Sequence, residues 1–255
     1  MIAIIPMAGK GERFVKAGYT IPKPLLTINT IPMVVKAALD LPKADEYIFI
    51  ALQKHLTKFK LDVAIKAHLP QAKFIVLDKL TAGQASTCLL ALDSVDAHED
   101  ILIGACDNGM IFDQTQFEQL KQTADVIVFT FRHNVTVVAK PEQYGWVKLS
   151  PEGLVASVSV KKPISEQPQN DHAIVGAFWF RQSQIFDQAA KKMIAEDRRI
   201  NHEFYVDECI NDAIDLGYRV AVLEIDNYIC WGTPNDYQTF NYWKTFYELT
   251  PVCYQ

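Results

Sequence analysis

Short apolar runs alternate with segments of helical spacing over the first half of the chain, and this alternation constrains the fold most strongly. Strands that alternate with helices in this way are typical of βαβ units, in which helices cover both faces of a mostly parallel sheet. The predicted strands are Ile2–Met7, Tyr47–Leu52, Lys73–Leu77, Ile101–Gly104 and Val126–Phe131, and the predicted helices are Pro32–Leu41, Lys54–Lys66, Gln84–Leu92 and Gln114–Gln122. We therefore expect an α/β fold.

The pattern changes after Phe131. Three strand-like segments without helices between them predict an antiparallel insertion: Tyr144–Leu149, Leu154–Val160 and Ala173–Phe180. Helices at Ser183–Ala195 and Phe204–Leu216 follow, then a strand at Arg219–Ile225 and a last helix that begins at Pro234 with Thr233 as its N-cap. Since no linker, repeat or low-complexity tract interrupts the chain, we expect one domain over residues 1–255.

The composition excludes several classes of protein. The 255 residues are 49% hydrophobic and 22% charged, which is typical of a chain with a large core and not of a disordered one. The net charge of −5 argues against a general nucleic-acid-binding protein but allows a local basic pocket for phosphates. No run of about 18 apolar residues is present, so neither a membrane-spanning helix nor a membrane partner is expected. The five cysteines form no C-x-x-C pair, which argues against a zinc knuckle and favours reduced thiols in the cytoplasm.

A glycine-containing loop (AGKGERF, residues 8–14) follows the first predicted strand directly. Glycines let backbone N–H groups approach an anion closely, and the guanidinium of Arg13 adds donors that suit phosphate oxygens. A dinucleotide-binding fingerprint is excluded because Phe14 stands where its third glycine is needed, and a P-loop pattern is absent. The loop therefore predicts a phosphate site of another kind.

A lysine between two prolines follows this loop, in the segment PKPL at residues 22–25. Prolines fix the backbone on both sides, so the amine of Lys23 is presented with less conformational entropy to lose. Both Arg13 and Lys23 lie in a glycine- and proline-rich region, where burial in the core is not expected.

These motifs, A-G-x-G-x-R at Ala8–Arg13, P-K-P-L at Pro22–Leu25 and P-M at Pro32-Met33, together resemble the opening pattern of the sugar-nucleotidyltransferase family, the NDP-sugar pyrophosphorylases. The resemblance implies a GT-A-like (Rossmann-like) three-layer sandwich with a mixed, mostly parallel sheet. It also implies a nucleoside triphosphate that lies along the glycine loop. Its binding residues would be Ala8, Gly9 and Gly11, with Arg13 and Lys23 on the phosphates.

Two further motifs extend the resemblance through the first half. The segment TAGQA, residues 81–85, resembles the loop that holds the base, which implies Gly83 and Gln84 as nucleotide-binding residues. A helix N-terminus capped by Thr81 is the alternative interpretation, and the two are compatible. The apolar strand Ile101–Gly104 leads to Asp107, where the family places a metal-binding aspartate. Asp107 would bind Mg²⁺, or Mn²⁺, because these ions prefer carboxylate oxygens together with phosphates and waters; a plain turn before Asn-Gly is the alternative.

The acceptor side is implied by three matches in the second half: Gly145 in a Y-G-x-V motif, Lys162 before a proline, and Gly176. Lys161 departs from the family, which often has a glutamate there that binds sugar hydroxyls. Both lysines could instead face solvent on an edge strand.

A second departure lies in the segment CWGTPNDY, residues 230–237, which resembles the family's D-I-G-T-P-x-x-Y. The aspartate of that motif supplies a second metal contact, and Cys230 stands in its place. Metal binding by Asp107 alone with the phosphates, or by Asp107 with an acid such as Asp207, is compatible with the sequence.

The resemblance implies transfer of a nucleoside monophosphate from a nucleoside triphosphate to a sugar 1-phosphate, with release of pyrophosphate. Arg13, Lys23 and Asp107 would be the catalytic residues. Residues 1–132 would form the nucleotide-binding half, and residues 133–255 the acceptor-binding half with the C-terminal helix. The product would be an NDP-sugar for polysaccharide or cell-surface glycan synthesis, including capsule or lipopolysaccharide, made in the cytoplasm. A homo-oligomer is compatible with the sequence.

Two alternatives remain open at the level of sequence. One is a cytidylyltransferase for a small phosphomonoester such as phosphocholine, whose cationic group aromatic rings would surround. Those rings would be Trp146, Trp179, Tyr205 and Trp231. The other is a non-catalytic nucleotide-binding regulatory module, suggested by the loss of the second metal ligand at Cys230.

Overall fold

The described part of the chain, residues 1–249 of a computed structural model, contains thirteen strands and ten helices. The strands are β1 (Ile2–Pro6), β2 (Thr27–Ile28), β3 (Ile31–Pro32), β4 (Glu46–Leu52), β5 (Lys73–Leu77), β6 (Ile101–Gly104), β7 (Asn108–Ile111), β8 (Val126–Phe131), β9 (Gly145–Leu149), β10 (Val155–Val160), β11 (His172–Phe180), β12 (Val220–Glu224) and β13 (Asn227–Cys230). The helices are α1 (Glu12–Lys16), α2 (Met33–Leu39), α3 (Gln53–Phe59), α4 (Leu61–Lys66), α5 (Gln84–Leu89), α6 (Gln114–Thr123), α7 (Thr136–Ala139), α8 (Ser183–Ala195), α9 (Val206–Asp215) and α10 (Pro234–Leu249).

Nine of the strands form one sheet, ordered β10-β9-β11-β6-β1-β4-β5, with β8 pairing both β11 and β12. β1 is parallel to β4 and β6, and β4 is parallel to β5. β11 is antiparallel to β6, β8 and β9. Followed from strand to strand, these pairings give seven of the nine strands the same direction, and β10 and β11 the opposite one. The predicted mixed, mostly parallel sheet with an antiparallel insertion is confirmed.

Helices cover both faces of this sheet. Successive side chains of a strand point to opposite faces, so Ile4 joins one buried cluster and Ile5 joins the other. The cluster around Ile4 includes apolar side chains of α5, α8 and α9, and the cluster around Ile5 includes those of α2, α4 and α6. The predicted three-layer α/β arrangement is therefore confirmed.

Most of the predicted elements are present, with ends that differ by a few residues, and Ser183–Ala195 is a helix over its whole predicted length. The single helix predicted for Lys54–Lys66 is wrong. Lys60 has a left-handed backbone (φ 54°), which ends α3 and starts α4. The cap predicted for the last helix is confirmed, because the Asp236 N–H donates to Thr233 Oγ1 at 3.1 Å.

A two-stranded ribbon of β7 and β13 was not predicted. The Asn-Gly pair at Asn108 suggested a turn, but Asn108–Ile111 instead pairs antiparallel with Asn227–Cys230. The Trp231 N–H extends this pairing to the Asp107 carbonyl, 2.9 Å away. Long-range pairing thus overrides the local turn signal, and it brings residue 230 beside residue 107.

Among residues 1–249, no helix is both long enough and apolar enough to cross a membrane. The four cysteines within this range are free thiols: Cys88, Cys106, Cys209 and Cys230. Cys253 and the end of the domain predicted for residues 1–255 lie outside the described residues.

Candidate active site

Three segments meet at one edge of the sheet because β1, β4 and β6 are parallel neighbours. The glycine loop follows β1, helix α3 follows β4, and the segment that leads to Asp107 follows β6. A cavity of about 280 Å³ opens at this edge. It is lined by residues of the glycine loop and of the PKPL segment, and by Cys106, Gly232 and His55. Ligands of open α/β sheets bind at the carboxyl ends of the strands, so this cavity lies where a phosphate site is expected.

The glycine loop is anchored by an aromatic side chain. Gly11 has a left-handed backbone (φ 63°), and the short helix α1 starts directly after it. Phe14 in α1 is buried in a cluster with Trp231, and its ring also packs edge-on against Tyr19. Arg13 lies on the exposed side of α1 and makes no ion pair with any residue of the described range. Its guanidinium is therefore available to a ligand.

Lys23 and Asp107 form an ion pair, with 2.5 Å between Lys23 Nζ and Asp107 Oδ2. Lys23 lies outside the buried core clusters, as expected, but its side chain is only 16% exposed, and that of Asp107 is 26% exposed. The PKPL segment folds into a 3₁₀ turn (Lys23–Leu25) that directs the amine towards β6. Burial opposes both charges, but their attraction outweighs it: the pKa of Asp107 is lowered and the pKa of Lys23 is raised. Both groups are thus charged at neutral pH.

Cys230, in the place of the family's second acid, lies close to Asp107. A side chain at Gly232 would approach both Asp107 Oδ2 (2.9 Å) and Cys230 Sγ (3.3 Å). Burial raises the pKa of Cys230 to about 12, with Asp107 and Asp236 adding to the shift, so the thiol is neutral. Its sulfur lies 3.5 Å from Asp236 Oδ2.

These residues fit a magnesium ion only in part. Residues 1–249 contain no group of three His, Cys, Asp or Glu side chains that could hold a metal by themselves. Asp107 offers one ionised carboxylate, and Mg²⁺ is often held by one or two carboxylates plus substrate phosphates and waters. The donor set therefore suits an ion that arrives with the nucleotide. Asp207, the alternative second acid, lies against Gly145, and its charge acts on Lys161.

A second cavity, of about 480 Å³, lies on the other side of the glycine loop. Gly9, Gly11, Gly83 and Gln84 all line it, so the structure brings the predicted nucleotide-binding residues together. Gly83 (φ 141°) is needed here because a Cβ would collide with the backbone of Phe204. Two hydrogen bonds fix this approach: Phe204 N–H to the Ala82 carbonyl and Ala85 N–H to the Phe204 carbonyl, each 2.9 Å. Thr81 donates to the Gly83 carbonyl instead of capping α5.

The predicted acceptor residue Gly145 lies against Asp207. A Cβ at Gly145 would overlap the Asp207 carboxylate, so only glycine allows the two segments to come this close. Burial raises the pKa of Asp207, and Lys161 opposes that shift. The arrangement places the Asp207 carboxyl and the Lys161 amine near enough for their charges to act on each other.

Of the two adjacent lysines, Lys161 is directed into the molecule and Lys162 is exposed. Lys161 has a left-handed backbone (φ 61°), and its amine donates to the Gln143 carbonyl at 2.5 Å and lies 5.5 Å from the centre of the Tyr205 ring. Burial lowers its pKa, which Asp207 opposes. Neither lysine lines the two cavities at the glycine loop, but Lys161 is close enough to Asp107 to help lower the pKa of that carboxyl.

Gly176, the third predicted acceptor residue, supports the Asp107 segment. Its carbonyl accepts from the Ala105 N–H at 2.9 Å, and the side-chain amide of Asn108 donates to the Val175 carbonyl at 2.5 Å. β11 thus holds the backbone on both sides of Asp107.

The aromatic rings predicted to surround a cationic acceptor do not form one group. Trp146, Trp179 and Trp231 are core residues, and the first two indoles donate to the Pro141 carbonyl and the Asp100 carboxylate. This part of the prediction is wrong, because sequence spacing does not separate core rings from cleft rings. A different set lines a third cavity, of about 1060 Å³, next to Cys230. Its rings are Tyr144, Tyr228, Phe240, Trp243 and Tyr247. Among residues 1–249, one acid, Asp236, and four basic residues, Arg13, Lys16, Lys140 and Lys244, line it as well.

Sequence reasoning missed His55, Asp236 and the inward position of Lys161. His55 comes three residues after the end of β4, so the rule that strand ends face the ligand would have indicated it. Asp236 lies inside the CWGTPNDY segment already considered. The inward position of Lys161 goes with a left-handed backbone at this residue, and the spacing of residues in the sequence does not predict such a backbone.

This geometry can be compared with known proteins. The sequence model of the nucleotidyl transferase family matches residues 2–244, so the chain belongs to this family. The resemblance seen in the motifs is confirmed, and the protein is a nucleotidyltransferase enzyme. The alternative of a non-catalytic module is not supported.

Two solved structures illustrate the likeness. The nucleoside-diphosphate-sugar pyrophosphorylase from Vibrio cholerae RC9 superposes with a TM-score of 0.75 at 24% identity, over 94% of this chain and 99% of that one. The inositol-1-phosphate CTP transferase from T. maritima superposes with a TM-score of 0.70 at 13% identity, over 99% of this chain and 98% of that one. At these identities the likeness establishes the fold. No curated protein matches the sequence significantly.

Proposed function

We propose that the enzyme transfers a nucleoside monophosphate from a nucleoside triphosphate to a sugar 1-phosphate and releases pyrophosphate. The observation that carries this proposal is the Lys23–Asp107 ion pair at the glycine loop, between the cavity lined by Gln84 and the side that holds Asp207. The base of the nucleotide, its phosphates and the acceptor can thus lie side by side, in that order, across one cleft. The description of the V. cholerae neighbour as a nucleoside-diphosphate-sugar pyrophosphorylase supports the choice of acceptor.

The chemistry needs charge stabilisation and alignment rather than a general base. A phosphomonoester is already anionic at neutral pH, and its oxygen attacks the α-phosphorus while pyrophosphate leaves. Positioning and preorganised cations are the usual means of catalysis in such reactions. Arg13 and Lys23 bind the triphosphate and the charge that develops on the leaving pyrophosphate. Asp107 keeps Lys23 ionised and fixes its amine before the substrate arrives.

Asp107 also holds the metal in this proposal. Mg²⁺, or Mn²⁺, would bind its carboxylate together with the nucleotide phosphates, and the bound ion would supply Lewis-acid stabilisation of phosphate charge. Neutral Cys230 is a soft ligand and contributes little to a hard cation.

On the acceptor side, we propose Gly145 and Asp207 for the sugar hydroxyls and Lys161 for the phosphate. Gly176 acts by holding the Asp107 segment. The assignment of Lys162 to the acceptor phosphate stays a prediction, but the exposure of its side chain favours Lys161 instead.

The test is a pyrophosphate-release assay that combines each of the common nucleoside triphosphates with a panel of phosphomonoesters. Hexose 1-phosphates should give the largest kcat/KM with one triphosphate, in the presence of Mg²⁺. If none of the phosphomonoesters in the panel supported pyrophosphate release, the proposal would be contradicted.

A second candidate acceptor is a small phosphomonoester with a cationic group, such as phosphocholine. The aromatic cavity next to Cys230 supports it, because its rings and the Asp236 carboxylate can bind a quaternary ammonium group. The cavity is also lined by Arg13, Lys16, Lys140 and Lys244, which repel such a cation and suit only the phosphate end of this acceptor. The inositol-1-phosphate CTP transferase from T. maritima shows that an acceptor other than a hexose occurs on this fold. The same assay decides, since phosphocholine with CTP would then exceed every hexose phosphate.

We further propose that residues 1–255 work as a single nucleotidyltransferase domain, because the family match spans both halves and one sheet contains strands from each. The free thiols agree with a reducing compartment such as the cytoplasm. A role in glycan synthesis, the cytoplasmic location and a homo-oligomeric state stay predictions.

A further inference from the structure

His55 is a buried side chain of the phosphate cavity that the proposed chemistry leaves without a role. It lies in α3, directly after β4, and only 5% of the residue is exposed. The strand before it is bonded to the start of the glycine loop, since the Met7 N–H donates to the Ile50 carbonyl at 2.9 Å. His55 therefore lines the same cavity as Gly11, Arg13 and Lys23.

The imidazole has no hydrogen-bond partner within residues 1–249. Its Nδ1 is fully buried and out of reach of a ligand, whereas its Nε2 is also unpaired but keeps accessible surface. Because His55 lines the cavity, Nε2 is the nitrogen that a bound ligand can reach, and polar groups of nearly buried side chains are normally hydrogen-bonded. The ring therefore offers hydrogen-bonding capacity to whatever occupies this cavity.

The other groups around the cavity indicate which ligand that is. Among the residues of the described range that line it, Lys10, Arg13 and Lys23 are cations and Glu12 is the single acid. Burial lowers the pKa of His55, with Lys54 adding to the shift, so the ring is neutral at pH 7 and keeps one N–H donor and one acceptor nitrogen. A neutral donor among cations suits a multiply charged oxyanion.

The position of His55 along the glycine loop indicates which phosphates of the nucleotide it would contact. The cavity that holds Gln84 shares Gly9, Lys10 and Gly11 with the cavity of His55, but His55 lies only in the latter. A triphosphate whose base contacts Gln84 would extend its far end towards His55. Resting on the proposed function, we infer that His55 binds the pyrophosphate portion of the nucleoside triphosphate by donating a hydrogen bond to it.

The test measures binding of inorganic pyrophosphate, and separately of nucleoside monophosphates, by calorimetry in magnesium-containing buffer. The variants are His55→Leu, which removes both nitrogens, and His55→Gln, which keeps an N–H donor. His68→Asn is the control, because His68 is exposed and lines none of the three cavities.

In His55→Leu the Kd of pyrophosphate should rise about tenfold, equal to about 1.4 kcal/mol, while monophosphate binding and Tm stay unchanged. His55→Gln should stay within about threefold of wild type, and His68→Asn should equal it. Equal losses for pyrophosphate and monophosphate, or unchanged pyrophosphate binding in His55→Leu, would overturn the inference. If wild type bound neither pyrophosphate nor any nucleoside triphosphate, the proposed function itself would fail.

Discussion

The two sides of the cleft are built in different ways. The proposed nucleotide side is built mainly from three short motifs: the glycine loop, PKPL and TAGQA. His55 of α3 and Asp107 after β6 lie beside them. The acceptor side depends on contacts between segments far apart in the chain, such as Gly145 with Asp207 and Lys161 with Tyr205. In the proposed function the nucleotide side carries the chemistry that this family shares. Of the two departures from the family's pattern, Lys161 lies on the proposed acceptor side and Cys230 lies beside Asp107. Substrate choice is thus expected to reside on the second side.

The largest effect should come from Lys23→Ala, on the nucleotide side. Turnover at saturating substrates should fall about 10²–10³-fold, equal to about 2–4 kcal/mol, because a cation fixed on developing phosphate charge is lost. Tm should fall as well, since Asp107 loses the partner of a largely buried ion pair. Steady-state kinetics and calorimetry measure the two effects.

Arg13→Ala is the matched control for stability. Arg13 is exposed and makes no ion pair within the described residues, so turnover should drop by a similar factor while Tm stays at the wild-type value. Wild-type turnover in either variant would remove that residue from the catalytic set.

Gly83→Ala tests how rigid the base side is. A Cβ there collides with the Phe204 backbone at φ 141°, so we expect a loss of about 2–4 kcal/mol in the free energy of unfolding. Gly217→Ala is the control: its φ is 88°, but a Cβ there meets nothing within 4 Å. It should lose only about 1 kcal/mol. Urea unfolding measures the free energy of unfolding of both variants. Equal losses in Gly83→Ala and Gly217→Ala would mean that the packing of residue 83 against Phe204 is not tight.

Lys161→Ala and Lys162→Ala compare neighbouring residues on the acceptor side. Lys161→Ala should raise the acceptor KM about tenfold, because a charge-assisted contact to the acceptor phosphate is lost, while the nucleotide KM stays constant. Lys162→Ala should leave both values unchanged, since its side chain is exposed. The reverse result would restore Lys162 as the acceptor lysine and place Lys161 in a structural role.

The smallest effect should come from Cys230→Asp. A carboxylate next to Asp107 gives Mg²⁺ a second hard ligand, so the concentration for half-maximal rate should fall about three- to tenfold. In Asp107→Asn that concentration should rise strongly, and in Asp226→Asn it should not change, because Asp226 is exposed and precedes β13. Metal titration of the rate provides the measurement, and a loss confined to Asp226→Asn would move the metal away from Asp107.

The features that the sequence predicted are those set by local pattern, and the features that it missed depend on contacts between distant segments or on unusual backbone conformations. Periodicity predicted the layers and the mostly parallel sheet with its antiparallel insertion, since these depend on local pattern. The family resemblance, together with the position of Asp107 after a strand, implied that Asp107 and the glycine loop belong to one site. The ribbon of β7 and β13 was missed because its Asn-Gly pair carries a turn signal that long-range pairing overrides. The helix break at Lys60 and the turn at Lys161 depend on a left-handed backbone at lysine residues. The residue type does not predict this conformation, because lysine rarely adopts it. Burial of the three tryptophans could not be distinguished from a place in the cleft before the fold was known.

The most direct test of the central claim follows the phosphorus atoms of the triphosphate. Wild-type enzyme is incubated with Mg²⁺, the preferred acceptor and nucleoside triphosphate labelled at either the α- or the γ-phosphorus, and the products are separated. We expect the α-label in the nucleotide-linked product and the γ-label in pyrophosphate, in equal amounts, with both signals lost together in Lys23→Ala. Transfer of the γ-label to the acceptor, or release of the γ-label as inorganic phosphate, would contradict nucleotidyl transfer at this site.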